Sequence, residues 1–182
     1  AVGCTSTVIY KHFEDVDHLI AFASVKFMEN YIRDFQRIWS EDYNNMLDMN
    51  LKLWECFATY AFNDIDIFEP LFWGKYKESL GDMLFEHYQL DTSEMKALDG
   101  LMVSVLFTDD LREREYIVES RAAATGDLNP NDIDMIYDIG KCLFHGMVFE
   151  YKDKYKDPGR AEEGAQRVMR DFRAIVNQYR LT

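Results

Sequence analysis

With 182 residues, 48% of them apolar, the chain is long enough for one large domain or for a small domain joined to a larger one. Its formal net charge of −13 excludes a nucleic-acid surface spread over most of the chain, because such surfaces are basic, and confines any DNA contact to a small end. Its three cysteines, Cys4, Cys56 and Cys142, are widely spaced and form no Cys-x-x-Cys pair, which reads as reduced thiols in a cytoplasmic protein, and no apolar run reaches the length of a membrane span.

The chain opens with Gly-Cys-Thr-Ser-Thr-Val-Ile-Tyr-Lys-His-Phe over residues 3–13. Gly3 supplies the positive φ of a tight turn, and Thr5 or Ser6 caps the short helix that follows. Glu14, Asp15 and Asp17 suit the first turn of the next helix, where the dipole favours acidic side chains. The order is therefore turn, short helix, connection, long helix. A short helix of hydroxyl residues ending in Tyr-Lys-His presents hydrogen-bond donors and a cation, a surface that fits a phosphodiester backbone or a groove.

This stretch resembles the second half of the helix-turn-helix of TetR-family (tetracycline-repressor-type) transcriptional regulators. Gly3, Thr5, Ile9, Tyr10, Phe13 and Leu19 fall on the Gly, Ser, Leu, Tyr, Phe and final Leu of the family pattern, and His12 sits where many members carry His. The resemblance implies that Thr5, Ser6, Thr7, Val8, Tyr10, Lys11 and His12 face DNA, with Tyr10 and His12 as phosphate contacts. It places the family's two preceding helices upstream of Ala1. One position departs from the pattern: Val16 stands where members usually have a phosphate-contacting Lys, and Glu14, Asp15 and Asp17 around it repel phosphate. The motif alone also admits a plainer reading, in which Tyr10 and Phe13 only anchor a small helical hairpin.

Beyond the motif, apolar spacing predicts helices throughout. A long helix over 16–40 carries Ile20, Phe27, Tyr31 and Phe35 on one stripe and Met28, Ile32 and Trp39 on another. The next spans 45–62 with Leu47, Leu51, Trp54, Ala58 and Phe62 on one face, and Asn63, Asp64 and Asp66 end it. Pro70 fits the first turn of a further helix carrying Leu71, Phe72, Tyr76, Leu80, Met83, Leu84 and Tyr88, which Gly74 or Gly81 bends. Asp91-Thr92-Ser93-Glu94 starts a segment to 125 that is two helices, or one kinked near Thr108 and ending at Gly126.

Asn129-Pro130 caps a helix running to about residue 154 that shows two apolar stripes. Ile133, Ile136, Tyr137, Gly140, Phe144, Met147 and Tyr151 form one; Met135, Ile139, Cys142, Gly146 and Phe149 form the other. Asp157-Pro158 then opens the last helix, with Val168, Phe172, Ile175, Val176 and Tyr179 on its apolar face. A helix apolar on both sides must be covered on both sides. A second copy related by a two-fold axis covers the surplus in a four-helix bundle, through Met135, Ile139, Cys142, Gly146, Phe149, Val168, Phe172, Ile175, Val176 and Tyr179; in a monomer both stripes face the chain's own core.

The expected architecture is all-α: residues 1–20 as the C-terminal part of a helix-turn-helix domain, and 21–182 as a ligand-binding and dimerisation domain. Trp54, Phe57, Tyr60, Phe72, Tyr76, Met102, Phe107, Tyr116, Phe144 and His145 make the aromatic and methionine-rich middle that suits an apolar or aromatic effector, though each also serves as ordinary core. Glu55 and Glu119 lie among those apolar positions and would orient a polar group or be exposed or paired. The histidines form no His-x-x-x-His pair and no phosphate-binding glycine loop occurs, so neither an enzyme nor a metal or cofactor site is expected. The expected protein is a homodimeric, ligand-responsive regulator of an operator in double-stranded DNA, a repressor by family habit, with no membrane partner. The alternatives are a module of the same build with weak or lost DNA binding, and a helical enzyme or carrier.

Overall fold

The computed structural model describes residues 12–90, 105, 108 and 111–181, and these are all-helical with no strand among them. Thr5, Ser6, Thr7, Val8, Tyr10, Lys11, Met102 and Phe107, and the expected helix start at 91–94, lie outside the described residues.

The first helix, α1, is Val16–Val25, and Asp15 caps it by accepting a hydrogen bond from the His18 backbone N–H at 2.9 Å. The single long helix expected over 16–40 is interrupted by a 3-10 turn at Lys26–Met28, after which α2 spans Glu29–Ser40. The break has a packing cause. α1 lies against the helices Ile65–Phe72 and Leu80–Leu90, whereas α2 lies against the helix Met46–Asn63, and the tighter turn re-aims the apolar stripe between these partners. Met28, Tyr31, Ile32 and Phe35 are buried as a result, and Phe27 is left outside.

α3 (Met46–Asn63) is the centre of the molecule. Asn45 caps it, its side chain accepting from the Asp48 N–H at 3.1 Å. Asp48, Lys52, Glu55, Thr59 and Asn63 are exposed, a stripe one residue wide that repeats each helical turn, Met46 and Tyr60 are half-buried, and the rest of the helix is buried. α4 (Ile65–Phe72) starts at once, with Asp64 shared between the two ends, and α5 (Leu80–Leu90) follows a 3-10 turn at Lys77–Ser79. This corrects the expectation for Pro70, which sits inside the short α4 rather than at the start of a longer helix. Ile65, Phe68, Leu71 and Phe72 provide a buried stripe that sustains a helix on both sides of the proline, and the helix ends two residues after it.

α6 is Leu111–Ala124, and Gly126, whose φ is 81°, lies in the turn that follows. Asn129 and Pro130 open a 3-10 turn that leads into α7 (Ile133–Tyr151), and Gly159, with φ 78°, precedes α8 (Arg160–Val176). α7 and α8 pack against each other and against α3, while α2 and α6 lie on other sides of α3. At the α3–α8 contact a Cβ added to Gly164 would stand 2.4 Å from the Phe62 ring, and one added to Gly140 on α7 would stand 2.9 Å from the Phe172 ring. Asp127 ties the end of α6 to the start of α3, accepting from the Met46 N–H at 2.9 Å, Asn45 Nδ2 at 2.6 Å and Thr125 Oγ1 at 2.5 Å. Among the described residues no helix is long and apolar enough to cross a membrane.

Candidate functional site: an aromatic cavity beside the central helix

α2, α3, α6 and α7 do not close completely on one another. Between them lies a pocket of about 80 Å³. Its walls are Tyr31 and Phe35 from α2, Asn50, Leu53, Trp54 and Phe57 from α3, Phe72 and Trp73 at the end of α4, Val105 ahead of α6, Glu115 and Val118 from α6, and Tyr137, Lys141 and Phe144 from α7. The rings brace one another: Trp54 and Phe144 stand 4.6 Å apart by centroid, and Phe57 and Phe72 4.8 Å apart in an edge-to-face pair. The wall is therefore stiff and apolar.

The polar groups are few. Asn50 is 4% exposed and Trp54 8% exposed, and Asn50 Oδ1 and Trp54 Nε1 are buried with no hydrogen-bond partner among the described residues. The two residues are one turn apart on α3 and so share a face. Glu115 and Lys141 bring one charge of each sign. One turn along α6 from Glu115, Glu119 is 0% exposed, and neither carboxyl oxygen has a partner among the described residues. Burial first, then the nearby Glu115 and Asp134, push its carboxyl up to about 9, so it is uncharged at neutral pH.

Of the residues picked from sequence for ligand contact, the fold brings Trp54, Phe57, Phe72 and Phe144 together on the cavity wall. Of the others, Met102 and Phe107 lie outside the described residues, and the remaining four are placed elsewhere. Tyr60 donates to Asp34 Oδ2 at 2.7 Å, and burial with that acceptor pushes its phenol up to about 12. Tyr76 stacks on His18 at 4.6 Å and donates to Glu14 Oε2 at 3.1 Å. Tyr116 is exposed, and His145 is exposed and stacks on Trp73 at 5.7 Å. Glu55 is exposed and pairs with Arg173 at 2.6 Å. Asn50 was missed, although a carboxamide between Leu47, Leu51 and Trp54 breaks the apolar phase of α3 and is a readable signal.

The segment 72–76 links this cavity to α1. Phe72 and Trp73 are wall residues, and three residues on, the chain is clamped to the start of α1. There Lys75 Nζ meets Asp15 Oδ2 at 2.6 Å, while the Tyr76 ring lies on His18. The hydrogen bond from Lys75, with that from the His18 backbone, holds the Asp15 carboxyl down at about 2. His12, the one expected DNA contact among the described residues, is exposed just ahead of this clamp.

The residues expected at a two-fold interface divide. Met135, Cys142, Gly146 and Phe149 are exposed along one side of α7 and Ile139 is half-buried there; Phe149 is 75% exposed. Ile175 and Tyr179 are half-buried beside them, and the Tyr179 hydroxyl reaches Met135 Sδ at 3.6 Å. Val168, Phe172 and Val176 are a correction: they are buried within the chain, where the apolar face of α8 packs against α3. α8 has only one apolar stripe, and the chain's own core takes it.

Among the described residues no cluster of His, Cys, Asp and Glu is arranged to hold a metal ion. Comparison of the chain with protein-family models, with curated proteins and with solved structures finds no match.

Proposed function

We propose that this chain is the sensing body, with part of the reading head, of a cytoplasmic, homodimeric, ligand-responsive DNA-binding regulator. The observation that carries the reading is the 72–76 segment, which has cavity-wall rings at one end and a clamp on the start of α1 at the other. A small molecule that displaces Phe72 or Trp73 moves Lys75 and Tyr76, and with them Asp15 and His18 at the base of the helix that follows the DNA-facing stretch. In a dimer this changes the separation of two reading heads, which must meet half-sites about 34–36 Å apart. The effector shifts DNA affinity only to the extent that it prefers one separation over the other. The uncovered stripe of α7 supports pairing with a second copy.

The second reading, a module of the same build that no longer holds DNA well, is favoured by the exposed Val16 and by the acidic residues Glu14, Asp15 and Asp17 around it. Lys75 offsets one of these charges through Asp15. Selection of sites from a random duplex pool by the full-length protein separates the two. The regulator enriches a two-fold symmetric site bound by two copies. Absence of any enriched sequence at low salt overturns the first reading in favour of the second.

A further inference from the structure

We infer that Trp73 is the movable wall of the pocket, and that the site takes one uncharged apolar ring, of about the size of toluene, which enters by displacing the Trp73 indole. The inference rests on reading the pocket as a ligand site and specifies what that site takes and what must move.

Size and surface carry it. This pocket offers about 80 Å³, whereas a dry apolar cavity that admits benzene measures about 150 Å³. A ring therefore enters only if part of the wall gives way. Most of the wall is braced. Trp54 stands between Phe144 at 4.6 Å and Phe172 at 4.9 Å, and Phe57 stands among Tyr31, Phe68, Phe72 and Phe144; all of these residues are buried. Displacing any of them opens a gap in a close-packed core. Three wall residues reach solvent, Trp73, Glu115 and Lys141, and Trp73 is the one ring among them. Its indole lies 5.9 Å from Phe57 and 6.1 Å from Phe72, and stacks nearly parallel at 5.7 Å on the exposed His145. His145 and Lys141 are one turn apart on α7 and share a face, so the indole sits where the pocket meets the surface. Turning it outward breaks two long ring contacts and an exposed stack, and the incoming ring fills the space it leaves.

The class of the occupant follows from what faces the free space. Asn50 Oδ1 and Trp54 Nε1 are covered and offer it no hydrogen bond. Glu115 and Lys141 bring opposite charges, so the wall has no net sign with which to hold an ion. Phe57, Phe72 and Phe144 offer ring faces and edges, which suit an apolar ring. A fused second ring needs a second wall ring to move, and the remaining wall rings are the buried ones. Trp73 stands two residues before Lys75, so its displacement is also the motion that the proposed signal requires.

Toluene, naphthalene and benzoate test this on the full-length protein by calorimetry and thermal shift. Toluene is expected to bind, and naphthalene, with a second ring, and benzoate, with a charge, to bind about tenfold more weakly or not at all. Trp73→Ala vacates the space beforehand and is expected to tighten toluene about tenfold and to admit naphthalene, because no closed state then has to be opened. His145→Ala, a change at the surface, removes only the stack and is expected to tighten toluene about twofold. Failure of toluene to bind at its solubility limit overturns the inference. So does naphthalene or benzoate binding as tightly as toluene, or a toluene affinity that neither variant changes. The probe series on the unmutated protein and His145→Ala decide the matter even if Trp73→Ala does not fold. The expected order with unchanged affinity for the DNA site enriched from the random pool upholds the movable wall and removes the regulatory reading. DNA affinity altered by Trp73→Ala, with no toluene bound by the unmutated protein, upholds regulation and removes the inference.

Discussion

The two flanks of α3 are built on opposite principles. Toward α8 there is no slack: Gly164 lies so close to Phe62 that no larger residue fits, and the Phe172 ring sits 4.9 Å from Trp54 and 5.9 Å from Phe144. Toward α6 the same helix borders a cavity, and Asn50 Oδ1, Trp54 Nε1 and the Glu119 carboxyl lie buried with no partner among the described residues. Trp54 belongs to both flanks. The difference teaches where the cost of burial falls: the dense side gains from close contact, while the other side carries buried polar groups that cost stability.

The largest expected effect comes from opening the dense flank. Phe172→Ala removes a fully buried ring from between α3, α7 and α8, and should cost about 3–5 kcal/mol in a urea titration. A loss below about 1 kcal/mol would mean that the flank collapses into the gap and is not close-packed.

On the open flank the sign reverses. Glu119 has a folded-state pKa raised from 4.5 to about 9 by burial, Glu115 and Asp134. Between those values the native state keeps a proton that the unfolded chain has released, so stability falls as pH rises, by at most about 1.4 kcal/mol per pH unit. Glu119→Met removes that slope and the unpaired carboxyl together. The variant should be the more stable protein, by a margin that widens from about pH 5 to about pH 8. Parallel stability curves for the two proteins would show that Glu119 is solvated in the native state.

Smaller again is the effect of releasing the strap that holds the cavity walls together. Asp127→Ala deletes the acceptors for the Met46 N–H, Asn45 Nδ2 and Thr125 Oγ1, and should cost about 1–2 kcal/mol, in the range of a lost helix cap. Amide exchange should quicken in the first turn of α3 and leave α8 protected. Equal quickening in α8 would show that the flanks are not independent.

How much of this was legible in the sequence follows from the physics of each feature. Helix starts marked by local polar residues were readable: the helix expected from about residue 45 begins at Met46, and Asn129-Pro130 open the turn that leads into α7, because a side-chain oxygen satisfying a free N–H is written into two or three neighbouring residues. The break at Lys26–Met28 and the placing of Pro70 inside α4 were not, because both answer to packing partners distant in sequence. The cavity was half legible. Aromatic richness pointed to Trp54, Phe57, Phe72 and Phe144, but composition cannot tell a ring that borders a void from one tied to a carboxylate, as Tyr60 is to Asp34. The second stripe of α7 was visible as a pattern; that Val168, Phe172 and Val176 of α8 belong to the core instead depended on where α3 lies.

The smallest effect on the fold, and the sharpest on assembly, belongs to a surface outside both flanks. Phe149 is 75% exposed, and a Cβ added to Gly146, one turn back, meets nothing within 4 Å. Phe149→Glu therefore removes no packing within the chain and should change subunit stability by no more than about 0.5 kcal/mol. If the stripe is the proposed contact with a second copy, the same change places two carboxylates in an apolar seam and should convert a dimer to a monomer in analytical ultracentrifugation. Cys142 on that stripe reports the outcome independently. It should alkylate slowly in the dimer and rapidly in the variant. Cys56 should stay unreactive in both, because burial pushes its thiol up to about 12. An unmutated protein that sediments as a monomer, with Cys142 already fast, would assign the stripe to something other than a second copy and would remove the paired reading heads from the proposed mechanism.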